Sequence, residues 1–317
     1  MQQGNVLSAE KTMIALRKEK WARVKKMRLL YLFFLIALVN IFIFRYLPIY
    51  GIIIAFKDYS FRGGIAGSPW NNFQHFKDLF SNPYFFRIVR NTVVISIYRL
   101  IFTFPAPIIL ALLLNEIRKL WFKRVTQSIL YLPHFMSWVV LAGIIIEVVS
   151  PETGIWAWFF SLFGQQAPNL LISKSAFRPL LIITGIWQQA GWGTIVYLAA
   201  ITSIDPGLYE SAAIDGAGRL KQALYITIPS LVPVITIMLL LRLGHIMNAG
   251  FDQIFNLYNP LVYEVADIID TFVYREGLLG RNYEFSTAAG LFKNVIGVGL
   301  ILGTNAVVKR FNEYGIW

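Results

Sequence analysis

The chain has 317 residues, 56% of them hydrophobic and 15% charged, with Lys+Arg 29 against Asp+Glu 17 and a net charge of +12. A mean hydropathy of +0.58 is too apolar for an ordinary soluble domain, and the complete lack of cysteine excludes disulfides, thiolate catalysis and cysteine-based metal sites. The basic residues flank apolar runs, which points to orientation in a lipid bilayer rather than to nucleic acid.

Residues 1–27 are polar and basic, and Lys11, Arg17, Lys18, Lys20, Arg23, Lys25 and Lys26 outnumber Glu10 and Glu19. They read either as an interfacial helix on anionic headgroups or as a solvated flank anchoring the first span. That span runs from Leu29 to about Tyr50, and the turn-rich stretch Lys57–Phe86 reads as an external loop. A second span, Ile88–Leu114, is followed by Arg118, Lys119, Lys123 and Arg124, a cluster expected on the cytoplasmic side. The third span is predicted at Val125–Val149. Pro151–Phe177, broken by Gly and Pro and crowded with Trp and Phe, suits the outer interface.

The uncharged stretch Pro179–Ile204 gives the fourth span and Leu231–Ala249 the fifth. Phe251–Glu284 is richer in acids and reads as a long external segment. The sixth span, Phe285–Val308, ends at Lys309-Arg310, leaving 311–317 as a short cytoplasmic tail. The expected fold is thus an all-α polytopic membrane protein with six transmembrane helices over 28–310 and both termini cytoplasmic.

Between the fourth and fifth spans, residues 205–230 form a polar, small-residue loop. Asp205-Pro206 is a helix start, Gly216 and Gly218 are expected to break the helix with φ > 0, and a second helical turn from Arg219 to Ile226 is expected to end before Pro229. Local physics alone is equally satisfied by a simple connecting loop. Glu210-x-Ala212, Gly216 six residues after the Glu, and Ile226-x-x-Pro229 resemble the EAA loop of binding-protein-dependent ABC importer permeases. Ser211 stands where that family usually has Ala, and Ile228 where it usually has Leu.

Asn91-Thr92, Asp215-Gly216-Ala217, Gly250–Phe255, Tyr258-Asn259-Pro260, Tyr263–Thr271 and Ser286–Phe292 extend the likeness. They are similar to the LplB-type branch for polysaccharides and complex oligosaccharides, which includes the first permease of the alginate importer. The resemblance implies a heterodimer with a second, related permease, two ATPase subunits that hold ATP and Mg, an extracytoplasmic solute-binding protein and an oligosaccharide substrate. It places the chain in the bacterial cytoplasmic membrane. It also implies that Tyr209, Glu210, Ser211, Ala212, Ala213, Asp215, Gly216, Arg219 and Pro229 form a coupling element seated in an ATPase groove.

No phosphate-binding G-x-x-x-x-G-K-[ST] motif occurs, and His75, His134 and His245 are scattered, so neither catalysis nor a metal site is expected within the chain. Polar residues in the spans are costly in hydrocarbon and should face protein or a water-filled path. Gln188, Gln189, Trp192, Tyr197, Arg242, His245, Asn248, Lys293 and Asn294 are accordingly candidates for a saccharide pathway, although each alone also suits helix–helix hydrogen bonding. Arg99 belongs with these costly residues, and the basic ones leave room for an acidic saccharide. Asp252, Tyr258, Asn259, Glu264 and Asp267 are candidates for binding-protein contact. The rival class is an ion-coupled secondary transporter, but the internal repeats expected of one are not evident.

Overall fold

A computed structural model describes residues 26–311. All but the last two residues of the predicted basic segment, and all but the first of the predicted tail, lie outside the described residues. Among those residues the chain is helical, with one isolated antiparallel bridge between Lys57 and Trp70.

Four helices among the described residues are long and apolar enough to cross a bilayer: α1 (Arg28–Phe56), α3 (Pro83–Asn115), α9 (Arg219–Gly244) and α12 (Tyr283–Phe311), the last over Tyr283–Ala306. A short helix, α2 (Gln74–Ser81), precedes α3. The side chains of α1 from Arg28 to Tyr50 are exposed, and the helix packs on α12 mainly through its final turns. So continuous an aliphatic surface, with Phe33, Phe34 and Phe44 among its members, requires lipid or another protein around it.

Among the described residues three of the long helices contain a π turn, each placed two residues before a proline; in α1 it is Phe42–Tyr46, ahead of Pro48. In α3 the turn is Arg99–Thr103, ahead of Pro105; in α9 it is Ala223–Thr227, ahead of Pro229. A proline lacks the N–H of the regular ladder and crowds the carbonyl four residues back, and a locally widened turn relieves both. Pro229 therefore does not end the second helical turn of the polar loop, as the sequence suggested. It sits inside one helix that continues to Gly244.

The predicted third span is not straight. It divides into α4 (Leu120–Phe135) and α5 (Trp138–Val148), which meet at 108°. Pro133 tightens the end of α4 into a 3₁₀ turn, and the Ser137 hydroxyl caps α5 by accepting from Val140 N at 3.4 Å. Beyond it, α6 (Ile155–Ser161) presents Trp158 and Phe159 outward, as expected of the aromatic-rich segment.

All but the last two residues of the fourth predicted span lie within α7 (Lys174–Thr202), the helix around which the others assemble. It packs against α3, α4 and α9, and it buries Phe177, Leu181, Tyr197 and Ile201. Gln188, Gln189, the threonines and the glycines keep its apolarity below that of α1, α3, α9 and α12. A helix sheathed by protein needs less lipid-facing apolarity.

The acid-rich segment after α9, expected as a long external segment, is a folded insert. It comprises α10 (Phe251–Leu257), a bend through Pro260–Ala266, and α11 (Ile269–Val273) with a following π turn. Ile254, Leu257, Val262, Ala266 and Ile268 join Leu141, Ile145, Phe177 and Leu181 in one apolar core. Ile269 and Phe272 join a second core with Leu79, Phe85 and Ile88. Its acids do not require water because several are neutralised within the chain: Asp270 pairs with Lys293 at 2.6 Å and Asp267 with Arg275 at 2.7 Å.

Candidate functional site

At the C-terminal end of α7 the chain enters α8 (Pro206–Ile214). Asp205 caps it, accepting from Gly207 N at 2.9 Å, and Pro206 opens it. The helix ends where Gly216 takes φ +77 and Ala217 N donates to Ala212 O at 2.8 Å, a left-handed helix stop. Gly218 does not share this conformation. Its φ is −68, and it serves as the extended residue before α9, so only one of the two expected glycine turns has φ > 0.

Two contacts hold α8 and the start of α9 to the bundle. Tyr209 Oη lies 2.9 Å from Thr227 Oγ1, and Arg219 Nη1 donates to Glu116 Oε2 at 2.6 Å. With Asn115, Arg118 and Gln222 these residues line a polar recess of about 310 Å³. Outside it, Glu210, Ser211, Ala213 and Asp215 are exposed, while Ala212 is half-buried. Ile214 and Leu220 expose 87% and 74% of their surface and Tyr225 78%. Three large apolar groups left bare beside polar neighbours form a surface suited to a protein partner.

Midway along α7 lies a cavity of about 420 Å³. Six of the predicted pathway residues line it: Gln188, Gln189, Trp192, Tyr197, Arg242 and His245. Asn248, Lys293 and Asn294 do not. Asn248 accepts from Lys293 Nζ at 2.8 Å, and Lys293 also holds Asp270, so these two are committed to joining α12 to the insert. Asn294 lines a separate recess beside Ile52 of α1.

The cavity contains residues that the sequence did not single out. His134 stacks on Trp192 with ring centroids 4.8 Å apart and planes 2° from parallel, and Thr103 and Trp138 complete the wall. Only the break in the third span puts His134 there; Pro133 was the available signal. Gln188 Oε1, His134 Nδ1 and Thr103 Oγ1 are buried without a hydrogen-bond partner among the described residues. Such groups are costly unless water or a ligand meets them. Aromatic faces, an amide, a hydroxyl and an imidazole together suit a hydroxylated ligand.

At the opposite end of α7, the insert is tied down by a polar network. Asp267 is fully buried and accepts two bonds from Arg275, at 3.2 and 2.7 Å, one from Thr271 at 2.7 Å and one from the Tyr84 hydroxyl. Asn91 Nδ2 donates to Asp267 O at 3.0 Å and to Glu264 O at 3.1 Å, while Thr92 Oγ1 accepts from Ile269 N at 3.0 Å. Asp267 has no exposed surface to offer a binding protein, contrary to the expectation for it. Asp252 and Glu264 are exposed, and Tyr258 and Asn259 are half-buried. Hydrogen bonding to Lys174, reinforced by its charge, holds the Glu264 carboxyl below the usual range. Burial, then the neighbouring Tyr263, pushes the Tyr258 hydroxyl up to about 12.

Residues 103–313, from the wall of the cavity through the polar loop to the end of α12, match the family described as "Binding-protein-dependent transport system inner membrane component". The chain belongs to this family. Protein LplB of Bacillus subtilis (strain 168) is 44% identical over 306 residues, covering 96% of this chain and 93% of its own. From the same organism, "Polygalacturonan/rhamnogalacturonan transport system permease protein YteP" is 42% identical over 301 residues, 95% of this chain and 94% of that one. Among solved structures, a chain of "a bacterial ABC transporter involved in the import of the acidic polysaccharide alginate" superposes with a TM-score of 0.84 at 42% identity, covering 92% of this chain and 98% of that one. A chain of the same kind of transporter in complex with an alginate pentasaccharide-bound periplasmic protein gives 0.85 at 41% identity, covering 93% and 99%. This inner membrane component is a transport permease that works with a solute-binding protein.

Proposed function

We propose that the chain is one of two related permease subunits of an ATP-driven importer of oligosaccharides or polysaccharides, forming half of the translocation pathway. The observation that carries this reading is the placement of two features on one helix. The cavity with its unpartnered amide, hydroxyl and imidazole lies at the middle of α7, and the exposed α8 continues directly from the end of that helix. The polysaccharides named for YteP and for the alginate transporter support the substrate class.

Two ATPase subunits, which carry ATP and Mg, grip α8 and its counterpart on the second permease. When they close, α8 moves with its ATPase, α7 and α9 tilt, and the cavity turns toward the docked binding protein: alternating access. Glu210 and the bare Ile214 and Leu220 are the gripping surface. Both termini lie on the ATPase side, as the basic clusters favour.

The test is saccharide uptake by the reconstituted assembly. Glu210→Lys and Gly216→Pro should each reduce ATP-driven uptake to background while membrane insertion is unchanged. Wild-type uptake in both variants at matched expression would sink the coupling assignment. Uptake driven by an ion gradient, with no ATP-hydrolysing subunit co-purifying, would favour the secondary-transporter alternative.

A further inference from the structure

Beside the large cavity lies a much smaller one, of about 10 Å³, whose walls include Ser96 and Arg99 of α3, Arg242 of α9, and His245 and Asn248. Arg242 and His245 also line the large cavity, so the two compartments share a wall. The small one is about the size of a single water or small ion.

Its charge is unbalanced. Arg99 is 6% exposed and Arg242 half-buried; neither cavity is lined by Asp or Glu, and among the described residues neither arginine forms an ion pair with a carboxylate. Arg275 and Lys293 of the same chain, by contrast, have Asp267 and Asp270. The Arg99 guanidinium donates to Gln253 Oε1, but its Nε and the neighbouring Ser96 Oγ are buried with no partner among the described residues. Gln253 is neutral, and its amide nitrogen is already committed to Leu181 O at 2.8 Å and Thr184 Oγ1 at 2.7 Å. Gly250, at φ +92, brings its backbone so close that a Cβ there would run into the guanidinium, which pins Arg99 in place. Guanidinium stays protonated at any physiological pH, and two such cations held together in a low-dielectric span require a counter-charge.

We propose that Arg99 and Arg242 form an anion site in the wall of the pathway, accepting one singly charged group. Two sources share that chemistry: a free inorganic anion of halide size, or the carboxylate of a uronic-acid unit in transit. Only the second source rests on the cavity being a saccharide pathway.

The experiment uses the whole purified transporter and has two arms. In the first, thermal unfolding is followed as isethionate, a bulkier anion with no carboxylate, is replaced by chloride at constant ionic strength; a free-anion site gives a saturable rise in the unfolding midpoint that Arg242→Gln abolishes. In the second, uptake of an oligouronate is compared with that of its carboxyl-reduced counterpart. A carboxylate site makes this ratio fall about tenfold or more in Arg242→Gln, the loss expected for one charge-assisted hydrogen bond. Arg242→Lys keeps the charge and should retain part of whichever effect is seen, while Arg242 is preferred to Arg99 because Arg99 also holds Gln253. A response in the first arm alone assigns the site to a free anion, in the second alone to the carboxylate, and in both to exchange between them. No difference between wild type and Arg242→Gln in either arm overturns the proposal. If the wild-type transporter carries no saccharide, the pathway reading fails, yet the first arm still reads the anion site.

Discussion

Arg219 Nη1 lies 2.6 Å from Glu116 Oε2, so the first turn of α9 is fastened to the residue just beyond the end of α3. Both side chains are about half exposed, at 52% and 45%, so water screens the attraction and its direct worth to stability is under about 1 kcal/mol. Its value is positional: it fixes the angle at which α8 leaves the bundle. Arg219→Glu should therefore lower ATP-driven uptake severalfold with little change in the unfolding midpoint, and adding Glu116→Arg should restore much of it. A double variant no better than the single one would show that the pair does not set this angle.

Asp267 and Arg275 form a different kind of bond. Their carboxylate and guanidinium meet through two parallel contacts at 3.2 and 2.7 Å, and Asp267 is wholly enclosed. Removing one member leaves the other charged, buried and unmatched, which costs about 3–5 kcal/mol. Asp267→Ala should thus destabilise strongly, whereas Tyr84→Phe, which deletes one bond to Asp267 and one from Arg275 but leaves the ion pair, should cost about 1–2 kcal/mol. Denaturant unfolding of the purified transporter measures both, and equal losses would contradict the assigned hierarchy.

At the end of α8, Gly216 and Gly218 look interchangeable in sequence but differ in backbone. Gly216→Ala must take φ +77, at a cost of about 1 kcal/mol or more, while Gly218→Ala keeps a φ of −68 that any residue adopts. The expectation is reduced uptake for Gly216→Ala and near-normal uptake for Gly218→Ala. The reverse order would place the essential turn elsewhere.

These cases also mark how far the sequence could be read. Four of the predicted spans were legible because long apolar runs leave few alternatives, and α8 was legible because Asp205-Pro206 and Gly216 act on their own immediate neighbours. What escaped depended on partners distant in the chain. Tyr84 and Asp267 are separated by 183 positions, and Asn91 reaches Glu264 across 173. Without those partners nothing in an acid-rich stretch shows that it folds into the core. The prolines misled for the opposite reason: Pro229 is absorbed by a π turn and Pro133 bends a span through 108°, and local preference does not decide between these outcomes.

Within the cavity, Trp192 and His134 should act as one stacked surface, since their rings lie 2° from parallel. Stacked pairs of this kind are worth about 0.5–1.5 kcal/mol beyond burial, roughly two- to tenfold in an equilibrium constant. Trp192→Leu should raise the saccharide concentration that half-stimulates ATP hydrolysis by about that factor, and Trp192→Phe should fall between. An unchanged half-stimulating concentration in Trp192→Leu would remove the stack from the pathway.

Glu264 and Lys174 form an exposed ion pair joining the insert to the start of α7, and hydrogen bonding to Lys174 lowers the Glu264 pKa in the folded chain. A carboxyl whose folded pKa is depressed contributes stability that is present above the unfolded value of about 4.3 and is lost as the pH falls through the folded one. Wild type and Glu264→Gln should accordingly differ in unfolding midpoint at neutral pH and converge as the pH is taken below about 4. Because both side chains are more than half exposed, the gap should be small and should shrink further in high salt. A gap that persists unchanged into acid would mean that the glutamine disturbs packing rather than the pair, since a protonated Glu264 has no charge left for Lys174 to hold.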